Sequence, residues 1–120
     1  MSALLQDIDV CFHLASYGMS GADQLNQGRV TEVNVGGTRN VIQGCQEHGV
    51  SVLVYVSTYN VVFAGQEIVN GNETLPYVED GAHVDHYSRT KTIAEQLVLE
   101  ANSLHQGLRT ASIRPAAIYG

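Results

Sequence analysis

The chain has 120 residues, of which 44% are hydrophobic and 15% are charged, and its formal net charge is −6. This composition is typical of one globular domain and excludes a disordered chain. Six basic residues scattered along an acidic chain exclude an extended positive surface for nucleic acid, and no apolar run approaches the roughly eighteen residues that cross a bilayer.

The two cysteines, Cys11 and Cys45, lie far apart and form no Cys-x-x-Cys motif. We therefore expect buried, reduced thiols in a protein on the cytosolic side. No basic stretch precedes an apolar run, so no signal peptide is expected.

The first predicted element is a strand over residues 9–16. This short apolar run ends in small residues and is followed by Gly18 and Gly21, which is typical of a buried parallel strand that opens into a loop. We interpret His13, inside the run, as a core histidine hydrogen-bonded to the backbone rather than as a catalytic or metal-binding group.

A helix is predicted from about Arg29 to His48, with Gly49 as its C-cap. The apolar positions that recur at helical spacing are Val33, Val41, Ile42 and Cys45. Gly36 and Gly37 lie inside this helix, where each glycine costs about 1 kcal/mol relative to alanine. Such a pair indicates either the close approach of another backbone or a ligand, or a weakened or kinked helix.

The run over residues 50–56 is the strongest predicted strand, because it is almost entirely β-branched or aromatic. It lacks polar alternation, so we expect it in the middle of a sheet that is covered on both faces. The run ends on Ser57 and Thr58. Both hydroxyls then lie at the carboxyl end of a central strand, where open α/β sheets bind ligands.

Residues 60–85 form a long, turn-rich connection, and connections of this length are commonly functional. The histidines and carboxylates near its end have a spacing that matches no standard zinc motif; they are Asp80, His83, Asp85 and His86. We interpret them as solvated loop residues and predict no metal site.

Tyr87 and Lys91 are four residues apart at the start of the next predicted helix, which Asp85 can cap. This spacing places the phenol and the ammonium on one helix face. An adjacent ammonium favours the phenolate, and a shift from near pH 10 to neutrality requires about 4 kcal/mol. Tyr87 would then be a general acid/base; the alternative is that both are ordinary helix-surface residues.

A last strand is predicted over residues 109–114, and Pro115 ends it. Strands that alternate with helices predict right-handed βαβ units and a parallel sheet, which is the α/β class.

Five motifs occur in an order that resembles the extended short-chain dehydrogenase/reductases. Within that group the chain most resembles the 3β-hydroxysteroid dehydrogenase-like branch, close to subfamily 42E. The motifs are His13-Leu14-Ala15-Ser16, Asn34-Val35-Gly36-Gly37-Thr38, Tyr55-Val56-Ser57-Thr58, Tyr87-Ser88-Arg89-Thr90-Lys91 and Arg114-Pro115-Ala116-Ala117-Ile118-Tyr119-Gly120.

The resemblance implies a Rossmann-type doubly wound parallel sheet and hydride transfer between NAD (or NADP) and a secondary alcohol, such as a 3β-hydroxysteroid or a similar sterol. Tyr87 would take the hydroxyl proton, and Lys91 would lower its pKa and hold the ribose. Thr58, or alternatively Ser57, would bind the substrate oxygen, and Asn34 would support a proton-relay water. The residues expected along the cofactor, besides the Tyr/Lys pair, are His13, Leu14, Ala15, Ser16, Pro115 and Ile118.

The chain departs from this family in one respect. No Gly-x-x-Gly-x-x-Gly fingerprint occurs in it, although that motif binds the pyrophosphate. We therefore expect residues 1–120 to be the central part of one NAD(P)-binding Rossmann-like domain, without the first βαβ unit and the C-terminal substrate part. Such a chain should bind NAD weakly, be inactive by itself, and expose the strand at 9–16 as an aggregation-prone edge.

Other functions remain open on the same residues. One is a nucleotide-sugar epimerase or dihydroflavonol-type reductase of the same superfamily; another is a non-catalytic protein that senses NAD or binds a partner. The resemblance extends to a homodimer, and to a location on the cytoplasmic side of the endoplasmic reticulum membrane for the parent protein.

Overall fold

The computed structural model describes residues 2–103, 105 and 107–116. Three strands and three α-helices form the framework, and short 3₁₀ helices cover Ser2–Leu5, Gly21–Leu25 and Tyr59–Val61. In chain order the main elements are β1 (Val10–His13), α1 (Gln27–Thr31), α2 (Gly37–Glu47), β2 (Val52–Val56), α3 (His86–Glu100) and β3 (Arg109–Ile113).

The strands form a parallel sheet in the order β1-β2-β3. Val54 in the centre of β2 lies opposite Phe12 on one side and Ala111 on the other. The predicted α/β class and the central position of the second strand are confirmed. Because all three strands run in one direction, their carboxyl ends meet at one edge of the sheet, where the candidate site lies.

Helices α2 and α3 pack on one face of the sheet and enclose the hydrophobic core. The two helices contribute Val41, Cys45, Ala94 and Val98, and β2 contributes its inward-facing side chains. Leu53 and Tyr55 are at most 1% exposed, as expected for alternate residues of a central strand.

The opposite face of the sheet is open within the described part of the chain. Val10, Phe12 and Ile113 are 43%, 64% and 52% exposed, and the alternate residues of β2 on this side are half-buried. The expectation that β2 is covered on both faces is therefore not met there. An apolar strand shows that both faces favour burial, but it does not show what covers them.

The first helical segment differs in detail from the prediction. It starts at Gln27 and runs to Glu47 through a π-helical stretch, Glu32–Gly36. A π-turn inserts one residue and rotates the side chains that follow it, so Thr38 becomes buried together with the predicted Val41 and Cys45. Asn34 within the stretch and Val30 before it are buried too. A Cβ built on Gly36 or Gly37 would meet no described atom within 4 Å.

The first strand is shorter than predicted and ends at His13, so 14–16 belong to the loop at the sheet edge. Gly18 in that loop has φ of 86°, and a Cβ there would collide with Val30, so the loop needs a glycine at this position. Gly49 has φ of 67° after α2, which confirms the predicted C-cap. Cys11 and Cys45 are free thiols, half-buried and buried.

No helix in the described ranges is long and apolar enough to cross a membrane.

Candidate active site

The candidate site is built where the first turn of α3 meets the end of β2. Asp85 caps α3: its carboxylate accepts hydrogen bonds from the Ser88 backbone N–H and hydroxyl at 2.7 and 2.6 Å. This confirms the predicted cap. Tyr87 and Lys91, one turn apart, are only 8% and 2% exposed, so neither is an ordinary helix-surface residue.

The Lys91 ammonium is directed to the end of β2. Its Nζ donates a hydrogen bond to the Val56 carbonyl oxygen at 2.8 Å and lies 4.4 Å from the centre of the Tyr55 ring. Burial lowers the pKa of Lys91 to about 8, against the opposing effect of Glu95. The ammonium is thus held at the end of β2 by a strand carbonyl as well as by its position on α3.

The pKa of Tyr87 is raised above its usual value. Burial is the main cause and Asp85 adds to it, whereas a hydrogen bond with the Ser16 side chain acts in the opposite direction. The expected lowering of the Tyr87 pKa by Lys91 is therefore wrong for this structure. The loss of phenolate hydration outweighs the stabilisation from the Ser16 hydrogen bond.

Ser57 and Thr58 both lie at the end of β2, but in different surroundings. Thr58 is half-buried, begins the 3₁₀ helix Tyr59–Val61, and its Oγ1 accepts a hydrogen bond from the Asn60 N–H at 3.3 Å. Ser57 is 5% exposed, and its Oγ has no hydrogen-bond partner among the described residues. Asn60 then donates from Nδ2 to the Ser88 hydroxyl at 3.0 Å, which joins the strand end to α3.

Asn34 is 1% exposed and lies between the loop after β1 and α3. Its Nδ2 donates to the Tyr17 carbonyl and to the Thr90 hydroxyl at 2.9 and 3.0 Å, while its Oδ1 accepts from the Tyr17 N–H at 2.8 Å. In this geometry the amide joins the loop after β1 to α3.

His13 is buried at the end of β1. Its Nε2 is 2.9 Å from Thr38 Oγ1, and its ring packs 5.3 Å from that of Tyr55. Burial, with a contribution from Lys91, lowers the pKa of His13 to about 4, so the imidazole is neutral at neutral pH. The interpretation as a core histidine fits this geometry, although its partner is a side chain and not the backbone.

The remaining residues expected along the cofactor lie at the same edge. Leu14, Ala15 and Ser16 are exposed. Pro115 is joined to the end of β2 because its carbonyl oxygen accepts from the Tyr59 N–H at 3.2 Å. Ile118 lies outside the described residues.

The sequence reasoning missed a buried ionic cluster around Glu95. The fully buried carboxylate of Glu95 accepts from both Nε and an Nη of Arg114, at 3.0 and 2.7 Å, and from the Ser112 hydroxyl at 2.5 Å. These hydrogen bonds hold the pKa of Glu95 below its usual value although burial opposes this. Tyr77 of the long connection joins the cluster. The only signal for this cluster in the sequence was a glutamate within an amphipathic helix and an arginine at the end of a strand.

The polar residues of the long connection form structural contacts with neighbouring elements. Asp80 binds Arg89 at 2.6 Å, His83 pairs with Thr92 at 3.1 Å, and His86 pairs with Thr31 at 2.8 Å. Among the described residues, no three metal-ligating side chains come together.

A cavity of about 970 Å³ opens beside Tyr59, between this connection and the end of β3. Its lining includes Val62, Phe63 and Leu75 together with Ile113. The lining includes Tyr59, which follows Thr58 in the sequence, but neither Thr58 nor the Tyr/Lys pair.

Known proteins resemble this chain in sequence and in fold. A family model described as the 3-beta hydroxysteroid dehydrogenase/isomerase family matches residues 1–120. Short-chain dehydrogenase/reductase family 42E member 1 of Mus musculus is 61% identical over 91% of the chain and 29% of its own length. A 3 beta-hydroxysteroid dehydrogenase/Delta 5-->4-isomerase of Mycobacterium tuberculosis is 41% identical over 99% of the chain and 32% of its own length.

Among solved structures, a UDP-glucose-4-epimerase of Stenotrophomonas maltophila with bound NAD superposes with a TM-score of 0.80. It is 28% identical, over 94% of the chain and 33% of that protein. The chain thus spans less than a third of the two curated relatives described above.

Proposed function

The chain belongs to the 3-beta hydroxysteroid dehydrogenase/isomerase family, and on that premise we propose that it carries the acid/base residues of an NAD-dependent oxidoreductase. The observation behind this proposal is the pair of hydrogen bonds that join α3 to the end of β2, from Lys91 to Val56 and from Asn60 to Ser88. They bring Tyr87 and Lys91 of α3 and Thr58 after β2 to one edge of the sheet.

In the proposed reaction, NAD held by the loop after β1 and by Lys91 would supply the hydride chemistry. Tyr87 exchanges a proton with the substrate oxygen: its raised pKa keeps the phenol protonated, so it can donate this proton when a ketone is reduced. In the reverse direction the phenolate takes the hydroxyl proton. Thr58 binds the same oxygen, because its Oγ1 already accepts from Asn60 and its O–H remains to donate.

The residues at the sheet edge are suited to the cofactor. Leu14, Ala15 and Ser16 follow β1 and are exposed. Pro115, which accepts a hydrogen bond from the Tyr59 N–H, lies at the same edge of the sheet. Exposed backbone at the carboxyl ends of parallel strands is where dinucleotides bind in doubly wound folds. We assign these residues, with His13, Tyr87 and Lys91 beneath them, to the cofactor side, and Ile118 by resemblance.

The substrate class that we propose is a 3β-hydroxysteroid or a similar secondary alcohol. The name of the mycobacterial relative supports it, as does the cavity beside Tyr59, whose lining is mostly apolar but also includes Glu67, Glu73 and Arg114. A second candidate is a nucleotide sugar, because the epimerase from Stenotrophomonas shares the fold at 28% identity. The central place of residues 1–120 in one Rossmann-like domain, a homodimer, and a location at the cytoplasmic side of the endoplasmic reticulum membrane stay predictions.

A chimaera tests the proposal. Residues 1–120 replace the matching segment of the mouse relative, and cofactor reduction is followed with a 3β-hydroxysteroid and, separately, epimerisation with a UDP-hexose. We expect steroid-dependent reduction of NAD, and Tyr87→Phe should abolish it. Tyr17→Phe is the matched control and should preserve activity, because the Tyr17 phenol is exposed and binds Asp23. Epimerisation without steroid oxidation would favour the nucleotide sugar, and a folded chimaera without turnover would favour the non-catalytic alternative.

A further inference from the structure

Lys91 is the only lysine in the chain, and its surroundings are unusually well defined. The side chain is 2% exposed, and one N–H of the ammonium is used by the Val56 carbonyl oxygen at 2.8 Å. The Tyr55 ring centre lies 4.4 Å from Nζ, within the range in which an aromatic face attracts a cation.

The Tyr55 ring is itself fixed from several sides. It is 1% exposed, stands opposite His13 in the parallel register, and packs against that imidazole at 5.3 Å. Its hydroxyl interacts with the side chain of Thr38. A ring held on both its face and its hydroxyl end cannot turn away from the ammonium without disturbing β1 and α2.

We propose that Tyr55 is a positioning residue for Lys91. An ammonium has three N–H groups and no acceptor. The Val56 carbonyl takes one of them and the aromatic face covers a second direction, so one N–H remains for the carboxyl edge of the sheet, where Tyr87 and the cofactor ribose belong. Tyr55 thus limits the ammonium to one useful orientation and stabilises its charged form. This inference deepens the proposed function, but it can be measured without turnover.

The other ionisable groups around Lys91 do not provide this restraint. His13 on β1 is neutral, because burial lowers its pKa to about 4. Glu95 and Tyr87 lie on α3; Glu95 already binds Arg114, and Tyr87 has a raised pKa and carries no charge at neutral pH. Glu95 still favours the cation through its charge, and the Val56 carbonyl oxygen accepts one hydrogen bond; the Tyr55 ring is the described contact that covers a second side of the ammonium.

The test is a titration of the Lys91 side chain in the 120-residue chain, labelled with ¹⁵N-lysine so that a single side-chain resonance reports its pKa. Tyr55→Phe keeps the ring face, and we expect the pKa of Lys91 to stay within about 0.3 unit of the wild type. In Tyr55→Leu the attraction is lost while the site stays apolar, and we expect the pKa to fall by about one unit.

Two controls separate positioning from packing. Leu53→Ala loosens the same face of β2 without removing the ring, so the pKa of Lys91 should be unchanged. Pentafluorophenylalanine at position 55 keeps the shape but reverses the quadrupole, and it should lower the pKa of Lys91 even where Tyr55→Leu does not fold. An unchanged pKa with the fluorinated ring, or an equal fall in Leu53→Ala, would overturn the proposal, whether or not the chimaera shows activity.

Discussion

The Asn34 side chain binds both backbone groups of Tyr17: its Oδ1 accepts from the N–H at 2.8 Å and its Nδ2 donates to the carbonyl oxygen at 2.9 Å. Such a side-chain amide satisfies the backbone N–H and carbonyl oxygen of a loop residue, as a neighbouring strand would do in a sheet. Its third hydrogen bond, to Thr90 at 3.0 Å, joins that loop to the helix that bears Tyr87.

Asn34→Ala should lower the free energy of unfolding by about 3 kcal/mol, because one buried and two partly buried hydrogen bonds are lost at about 1 kcal/mol each. Urea denaturation of the chain measures this. Asn40→Ala, at an exposed position of the following helix, is the matched control and should change stability by less than about 0.5 kcal/mol. Equal effects in the two variants would contradict a clamping role.

Glu95→Gln should destabilise the chain by about 2 kcal/mol at neutral pH, since it removes the charge that holds Arg114. Arg114 is 20% exposed and can partly rehydrate, which reduces the effect. Because the folded pKa of Glu95 lies below its ordinary value of 4.5, its contribution is complete above pH 4.5 and is lost as the pH falls through the folded pKa.

Wild type and Glu95→Gln should therefore converge in stability at low pH. Asp80→Asn removes an ion pair whose carboxylate side chain is 74% exposed, and it should show no resolvable change. A constant difference between wild type and Glu95→Gln from neutral to acidic pH would disprove the ionic explanation.

His13 should make the free energy of unfolding depend on pH in a higher range than Glu95 does. Its folded pKa of about 4 lies below the ordinary 6.5, so between these values the unfolded chain binds a proton that the folded chain does not. The free energy of unfolding should fall, by up to about 3 kcal/mol, as the pH drops from 6.5 to 4. His13→Gln should flatten this slope, whereas His105→Gln, at an exposed position, should leave it unchanged. Urea denaturation of the three proteins at several pH values measures the difference.

Thr58→Val in the chimaera should reduce kcat about 100-fold, because it removes a hydrogen bond to the oxygen on which charge develops. Ser57→Ala should change kcat less than 5-fold if its buried Oγ does not reach the substrate. Steady-state kinetics with both variants compare the two neighbouring hydroxyls directly. The reverse ranking would assign the substrate oxygen to Ser57, whose Oγ has no partner in the described residues.

Phe12→Lys should reduce self-association of the chain. Phe12 is 64% exposed on the open face of the sheet, and β1 is an edge strand in the described structure, a combination that favours edge pairing. Light scattering at increasing concentration measures the effect. Gln43→Lys adds the same charge to an exposed helix position and should change association little; a wild-type chain that stays monomeric and melts cooperatively would refute the expectation.

Much of the fold was predictable because its signals are local. The β-branched run before Ser57, the Asp85 cap and the glycine after α2 each follow from the conformational preferences of a few adjacent residues. The shorter first strand and the π-helical stretch were not predictable, since they depend on residues distant in the sequence: β1 pairs with β2, and the π-helical stretch packs against α3. Sequence periodicity also missed buried polar residues of α3, such as Ser88 and Glu95.

The candidate site divides in the same way. The sequence by itself determined that Tyr87 and Lys91 share a helix face, because a spacing of four residues is one helical turn. Only the tertiary structure decided what that face meets: the Val56 carbonyl and the Tyr55 ring receive the ammonium, and burial raises the pKa of the phenol. Hydration and long-range contacts set a pKa, and neither is encoded in the spacing of two residues.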